Sequence, residues 1–217
     1  KFIEFFDNKI TVLRSSLLDI SDNISEFEDS GSLSHKCTLS SFRSVSVSDI
    51  SKLISKSTMK SCLLDPIPAS VLKQCIPVLL PVMTMIINQS LSSAVVPDCF
   101  KLALLNPKLK KAHLDVEEFS NFRPISNLTF MSKLTEKVVA SQLIDYVSSN
   151  GLDEMLQSAY KHFHSTETAL VKVFNDIVVD IDKNRTVILL LLDLSAAFDT
   201  VDHSILLNRL ANRFGVC

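Results

Sequence analysis

Several things are missing from this chain, and each absence narrows the possibilities. Its five cysteines, Cys37, Cys62, Cys75, Cys99 and Cys217, include no pair at Cys-x-x-Cys spacing. That spacing argues against a zinc site and against a disulfide framework, and no disulfide-linked partner is expected. Reduced thiols fit a nuclear or cytoplasmic protein that is not secreted. No excess of one charge is present: the net charge is −2 and the pI about 6.2, so bulk electrostatics do not advertise a nucleic-acid binder. No signal peptide follows Lys1, and the lack of an initial Met suggests a piece of a longer chain. There is no internal repeat. Between Lys73 and Asp98 there is no charge at all, which raises a membrane span, but Pro77, Pro81, Asn88 and Gln89 interrupt the run. A buried soluble helix is the better expectation, with no membrane partner.

What is present centres on residues 187–203. Six apolar residues, Val187 to Leu192, run unbroken into Asp193. That length and content predict a strand buried on both faces. An ionised carboxylate at its exit either caps the following turn or points into a cleft, where it can hold a metal. A hydrolase with a strand-end nucleophilic Asp usually carries a second Asp two residues on. Ser195 stands there instead, which weakens a phosphatase reading.

Upstream, residues 2–20 form an amphipathic pattern through Phe6, Ile10, Leu13 and Leu17, read as a packing or connecting helix. Residues 21–48 hold ten serines and an acidic cluster, Glu26, Glu28 and Asp29, the composition of a mobile linker. Order resumes near Ser48, a plausible N-cap for a short helix with Ile50, Leu53 and Ile54. The Asp65-Pro66-Ile67-Pro68 turn then leads into two helices, ended by Pro97.

Phe100, Leu102 and Leu104 alternate as in a strand until Pro107 breaks the pattern. Four lysines and no acid lie between Lys101 and Lys111. Such a run is either a solvated face or a phosphate contact. Arg123 precedes Pro124 and is therefore held extended. It could grip a phosphate in bidentate fashion or pair with Glu117 or Glu118. A long helix over 129–148 follows, with Leu134, Val138 and Leu143 inward and Gly151 as its stop. Ser165 caps another helix, with Ala169, Leu170, Val173, Phe174, Ile177 and Ile181 inward. A tight turn at 183–185 returns to the Asp193 strand. His162 and His164 lack a third ligand nearby, so packing or template contacts are favoured over a metal.

Four runs, in order, resemble the reverse transcriptases of LINE-type (non-LTR) retrotransposons. Asp193-Leu194-Ser195-Ala196-Ala197-Phe198-Asp199 resembles the first catalytic motif, Asp-x-x-x-Ala-Phe-Asp, and Thr200-Val201-Asp202-His203 is a typical continuation. Arg123-Pro124-Ile125-Ser126 resembles the second fingers motif. Lys110 and Lys111 match a Pro-Leu-Leu-Lys-Lys hairpin in which Lys108 and Leu109 replace the two leucines. The run from Gln157 to Ala169 resembles Gln-Ser-Ala-Tyr-Arg followed by His-Ser-Thr-Glu-Thr-Ala, with Lys161 in place of Arg. The resemblance spans residues 48–217.

It implies an α/β fold with reverse-transcriptase fingers and the beginning of a palm (48–217), preceded by a helix and a Ser-rich linker (1–47). It implies an RNA-directed DNA polymerase acting on an RNA template, a DNA primer and dNTPs with Mg²⁺. In that scheme Asp193 and the Leu194 carbonyl hold metal, and Asp193 is the catalytic carboxylate. Lys108, Lys110 and Arg123 meet the nucleotide phosphates, and Phe198 lies against the sugar. Asp199 is expected to accept nearby backbone amides. The family's Pro-Gln-Gly and Tyr/Phe-x-Asp-Asp motifs do not occur, so these 217 residues alone are expected to be inactive. A nucleic-acid-binding module without chemistry, and a decayed element copy without function, remain the alternatives.

Overall fold

A computed structural model describes residues 1–21, 38–57, 62–194 and 197–217. The chain runs α1 (Phe2–Ser21), α2 (Val47–Ser55), α3 (Ala69–Ser93), α4 (Asp98–Lys101), β1 (Ala103–Leu109), a 3₁₀ turn (Phe119–Asn121), β2 (Phe122–Leu128), α5 (Phe130–Ser149), α6 (Thr166–Asp182) and α7 (His203–Asn212). Most of the expected linker, residues 22–37, lies outside the described residues.

The core lies where α2, α3 and α5 meet. Ile50 and Ile54 from α2, Leu80, Met83 and Ile87 from α3, and Leu134 and Val138 from α5 form its buried cluster. The hydrophobic effect drives this packing, and the caps fix where each helix begins. Ser46, not Ser48, starts α2: its side chain accepts from the Asp49 amide, and Asp49 accepts in return from the Ser46 amide. Thr129 caps α5 through the Ser132 amide. Asp65 joins the two ends of this unit, accepting from the Phe130 amide at 2.7 Å and the Cys62 amide at 3.2 Å.

The two helices expected after Pro68 are one continuous helix, α3, with Pro77 and Pro81 inside it. A proline normally breaks a helix by deleting a backbone hydrogen bond. Here both prolines are exposed, one turn apart on a single face. The carbonyls they orphan therefore meet water, while Leu80, Met83 and Ile87 hold the other side. The helix is long and apolar enough to cross a membrane by composition, yet that inner face is packed against protein.

The single sheet among the described residues is the antiparallel pair β1–β2. Pro107 does not break β1. It stands directly opposite Pro124. The Lys110 N–H donates to the Asn121 carbonyl at 2.9 Å, and counting back by alternation puts Pro107 and Pro124 at a non-hydrogen-bonded position. Their nitrogens point outward, so the ladder loses no donor.

Residues 38–46, expected to close the linker, are bonded to this body. Leu39 bridges Val216, Arg43 exchanges hydrogen bonds with Gln142, and Val45 exchanges them with the Asn88 amide. Strand-like main-chain groups and a half-buried Val45 explain why serine-rich composition did not leave this stretch loose.

The palm strand expected over residues 187–192 is not formed. The run has no regular structure and is open to solvent, with Ile188 90% and Leu192 83% exposed. A strand covered on both faces requires neighbouring strands, and the only ladder among the described residues is the distant-register hairpin β1–β2. The inward face expected for α6 is largely exposed among the described residues: the helix forms, with Ser165 as its cap, but Leu170 and Phe174 remain mostly open to solvent. What the structure shows is a mixed fold, helices around one two-stranded sheet.

Candidate functional site

One cleft of about 370 Å³ gathers residues from three parts of the chain. Lys110, Phe122, Arg123 and Pro124 come from the hairpin, Ala197, Phe198 and Asp199 from the turn before α7, and Phe6, Lys9 and Ile10 from α1.

The hairpin register explains the cations. Lys108 pairs with Arg123, and Lys110 follows on the same side one step on. Side chains of facing residues project from one face. Three positive charges are thus clustered, with Lys108 outside the cleft lining and Lys110 and Arg123 within it. The Lys110 ammonium donates to the Ser120 carbonyl at 2.8 Å, which aims it along the turn. Arg123 makes no ion pair with Glu117, Glu118 or any other acid among the described residues. Its five donors remain available for an anion.

In the same cleft, the Phe198 ring presents a mostly exposed apolar surface. Tyr160 meets it edge-on, with centroids 6.0 Å apart. This contact ties the loop before α6 to the cleft. Tyr160 has a positive φ of 61°, a conformation bulky residues seldom adopt, so the loop holds it there at a cost. His164 turns back on the His162 carbonyl through Nδ1 at 2.8 Å.

Lys110, Arg123 and Phe198 are therefore brought together, whereas Asp193 and Leu194 do not line this cleft. Asp193 is exposed and has no hydrogen-bond or ion-pair partner among the described residues. No group of three His, Cys, Asp or Glu side chains among the described residues could hold a metal ion. One solvated carboxylate beside a backbone carbonyl is a poor fit for Mg²⁺, which needs several oxygens in near-octahedral array. The described donor set does not make a metal centre by itself.

Asp199 lines the cleft and accepts no hydrogen bond from another described residue; the amides at 195 and 196 lie outside the described residues. The carboxylate that takes backbone amides is Asp202. It caps α7, accepting from Ser204 N at 2.8 Å and Ile205 N at 3.1 Å. The Ile205 amide, then the Ser204 hydroxyl and amide, hold its carboxyl below the ordinary Asp range, with Arg14 adding a smaller attraction. An Asp directly before a helix is a recognisable N-cap, so the sequence carried this signal.

The other group missed from sequence is α1. Phe2 lies 4.5 Å from Phe119 and 5.2 Å from Phe122 between ring centroids, and Phe5 lies 5.7 Å from Phe119. Farther along, an Arg14 guanidinium N–H donates to the Val201 carbonyl at 3.2 Å. One helix thus touches both walls of the cleft.

Comparison with known proteins gives two findings. A family model described as reverse transcriptase (RNA-dependent DNA polymerase) matches residues 109–216. A Drosophila melanogaster protein named as a probable RNA-directed DNA polymerase from transposon X-element is 27% identical over 120 residues, which are 55% of this chain and 13% of that protein. The chain thus matches only a small part of that relative's length.

Proposed function

We propose that this chain, matched over residues 109–216 by the reverse transcriptase model and similar to a transposon's probable RNA-directed DNA polymerase, is the nucleotide-gripping part of the RNA-directed DNA polymerase of a non-LTR retrotransposon. The observation that carries this reading is the convergence of Arg123, unpartnered, with Lys110 and Phe198 on one cleft. In the proposed roles, Arg123 and Lys110 take phosphate oxygens of a dNTP through charge-assisted hydrogen bonds. Lys108 adds to the local positive field, and Phe198 lies against the sugar. The hairpin acts as fingers, and residues 187–199 are the start of a palm whose Asp193 and Leu194 carbonyl would contribute to metal binding. Mg²⁺ would neutralise charge on the transferred phosphoryl group. RNA template and DNA primer are the proposed macromolecular partners, in the nucleus or cytoplasm and away from membranes.

Photo-crosslinking tests the cleft. With 8-azido-dATP, labelled peptides should map to residues 119–128 and 197–201, and unlabelled dATP should compete. Labelling confined to the separate polar cleft at Arg43, Lys52 and Gln142 would defeat the proposal.

A second reading, a module that binds RNA through the hairpin cations without chemistry, is favoured by one observation: Asp193 stands apart from the cleft lining. RNA affinity that falls steeply with salt, together with no dNTP binding, would select it.

A further inference from the structure

The cleft has a wall that the motifs do not account for. Phe6, Lys9 and Ile10 recur at spacings of three and four and so occupy one face of α1. That face is held in position at both ends, by the Phe2 and Phe5 rings on Phe119 and Phe122 and by Arg14 on the Val201 carbonyl. Lys9 is half-buried and has no hydrogen-bond or ion-pair partner among the described residues.

The charge balance of the cleft is therefore lopsided. Lys9, Lys110 and Arg123 line it, and among its described lining residues only Asp199 carries the opposite charge. Bringing like charges together in a partly desolvated space is unfavourable unless an anion is shared between them. The remaining lining is apolar: Phe6, Ile10, Phe122, Pro124 and Phe198. An apolar wall beside three cations suits a ligand with a flat hydrophobic portion and a polyanionic tail. A mononucleotide with one phosphate would leave two of the cations unmatched.

We infer that Lys9 is a third phosphate-binding residue of this cleft and that α1 is a strap closing the site over the polyphosphate. This inference rests on the reading of the cleft as a nucleotide site. It adds that the triphosphate is held from three separate elements: α1, the β1–β2 turn and β2. The Lys9 ammonium donates to a phosphate oxygen, and Phe6 and Ile10 exclude water on that side. Because Lys9 makes no hydrogen bond or ion pair among the described residues, Lys9→Gln removes none of these from the fold.

Isothermal titration of the full 217-residue chain with inorganic tripolyphosphate and with dTTP tests this. Lys9→Gln should weaken both ligands about three- to fivefold, the range of a partly exposed ion pair. Lys9→Arg should restore affinity to within about twofold, since the charge is kept. Arg123→Gln is the reference, and circular dichroism checks that each variant stays folded. If Arg123→Gln weakens binding while Lys9→Gln leaves it unchanged, or tightens it, the inference about α1 is overturned and the cleft survives. If the wild-type chain binds neither ligand, or Arg123→Gln has no effect, the nucleotide reading of the cleft falls and the Lys9 inference with it.

Discussion

Lys108 and Arg123 are direct cross-strand partners in the β1–β2 hairpin, both exposed, and neither is paired with an acid among the described residues. By alternation from the Lys110–Asn121 hydrogen bond, they occupy a hydrogen-bonded pair, with Cα atoms about 5.5 Å apart in typical geometry. Like charges placed directly opposite oppose folding, so this pair is better explained by what it attracts than by what it stabilises. Lys108→Thr should therefore stabilise the chain, by about 0.2–1 kcal/mol. The same change should weaken tripolyphosphate binding by lowering the local field. Urea unfolding and calorimetric titration read the two effects separately. A substitution that lowers stability as well would remove the argument for a site under electrostatic strain.

Helix α3 offers a contrast between its two faces. Ile87 is fully buried in the core cluster, whereas Val78 on the same helix is 79% exposed. Ile87→Ala removes buried methylene groups and leaves a void, at a cost of about 2–5 kcal/mol. Val78→Ala should fall within about 0.5 kcal/mol of wild type. The two are compared by their urea midpoints at constant slope. Equal effects would mean that α3 is not anchored through the face described.

Asp202 gives a pH prediction. Its carboxyl is held below the ordinary Asp range by the Ile205 and Ser204 donors. A carboxylate with a depressed folded-state pKa contributes stability that is present above its unfolded value and lost as pH falls through the folded one. Hydrogen exchange at the Ser204 and Ile205 amides should thus accelerate, after correction for intrinsic rates, as the medium is taken below the ordinary Asp range. Asp202→Asn keeps an acceptor and should remove the pH dependence while retaining much of the protection, whereas Asp202→Ala should lose protection at every pH. An unchanged acid response in Asp202→Asn would place its origin elsewhere.

Local signals in the sequence carried over to the structure where they were self-sufficient. Thr129 and Ser165 satisfy helix amides within their own turns. The alternation of Phe100, Leu102 and Leu104 pointed to a strand, but Phe100 stands in α4 and β1 runs from Ala103 to Leu109. Arg123, Lys110 and Phe198 were identifiable as candidates because each stands in a short motif, and they do share a cleft. The failures occur where the outcome depends on a distant partner. The leucine-rich run at 187–192 has strand composition, but composition does not supply a neighbouring ladder. Pro77 and Pro81 predict a break, but their common exposed face lets α3 continue. Most telling is α1. Its packing on Phe119 and Phe122 joins residues more than a hundred positions apart. Periodicity near the N-terminus showed an amphipathic helix and gave no clue to which wall it would form.

The last prediction concerns chemistry. Nucleotidyl transfer develops negative charge on the attacking oxygen, the transferred phosphoryl group and the leaving pyrophosphate. Preorganised electrostatic stabilisation of that charge is usually the largest catalytic contribution, and losing a single element of it can cost about 10²–10³ in rate. Asp193 is exposed and has no partner among the described residues, where no trio of ligating side chains exists either. The run leading to Asp193 has no strand partner among the described residues and is open to solvent. On the proposed reading, the cleft binds a triphosphate without bringing it to an organised reacting centre. Purified as these residues, the chain should therefore bind dTTP yet fail to extend a DNA primer annealed to an RNA template, with all four dNTPs and Mg²⁺ supplied. Binding and extension are measured on the same preparation, so a misfolded sample is recognised by loss of both. Template-dependent extension that disappears in Asp193→Ala would show that this chain, alone or assembled with further copies, completes a polymerase site.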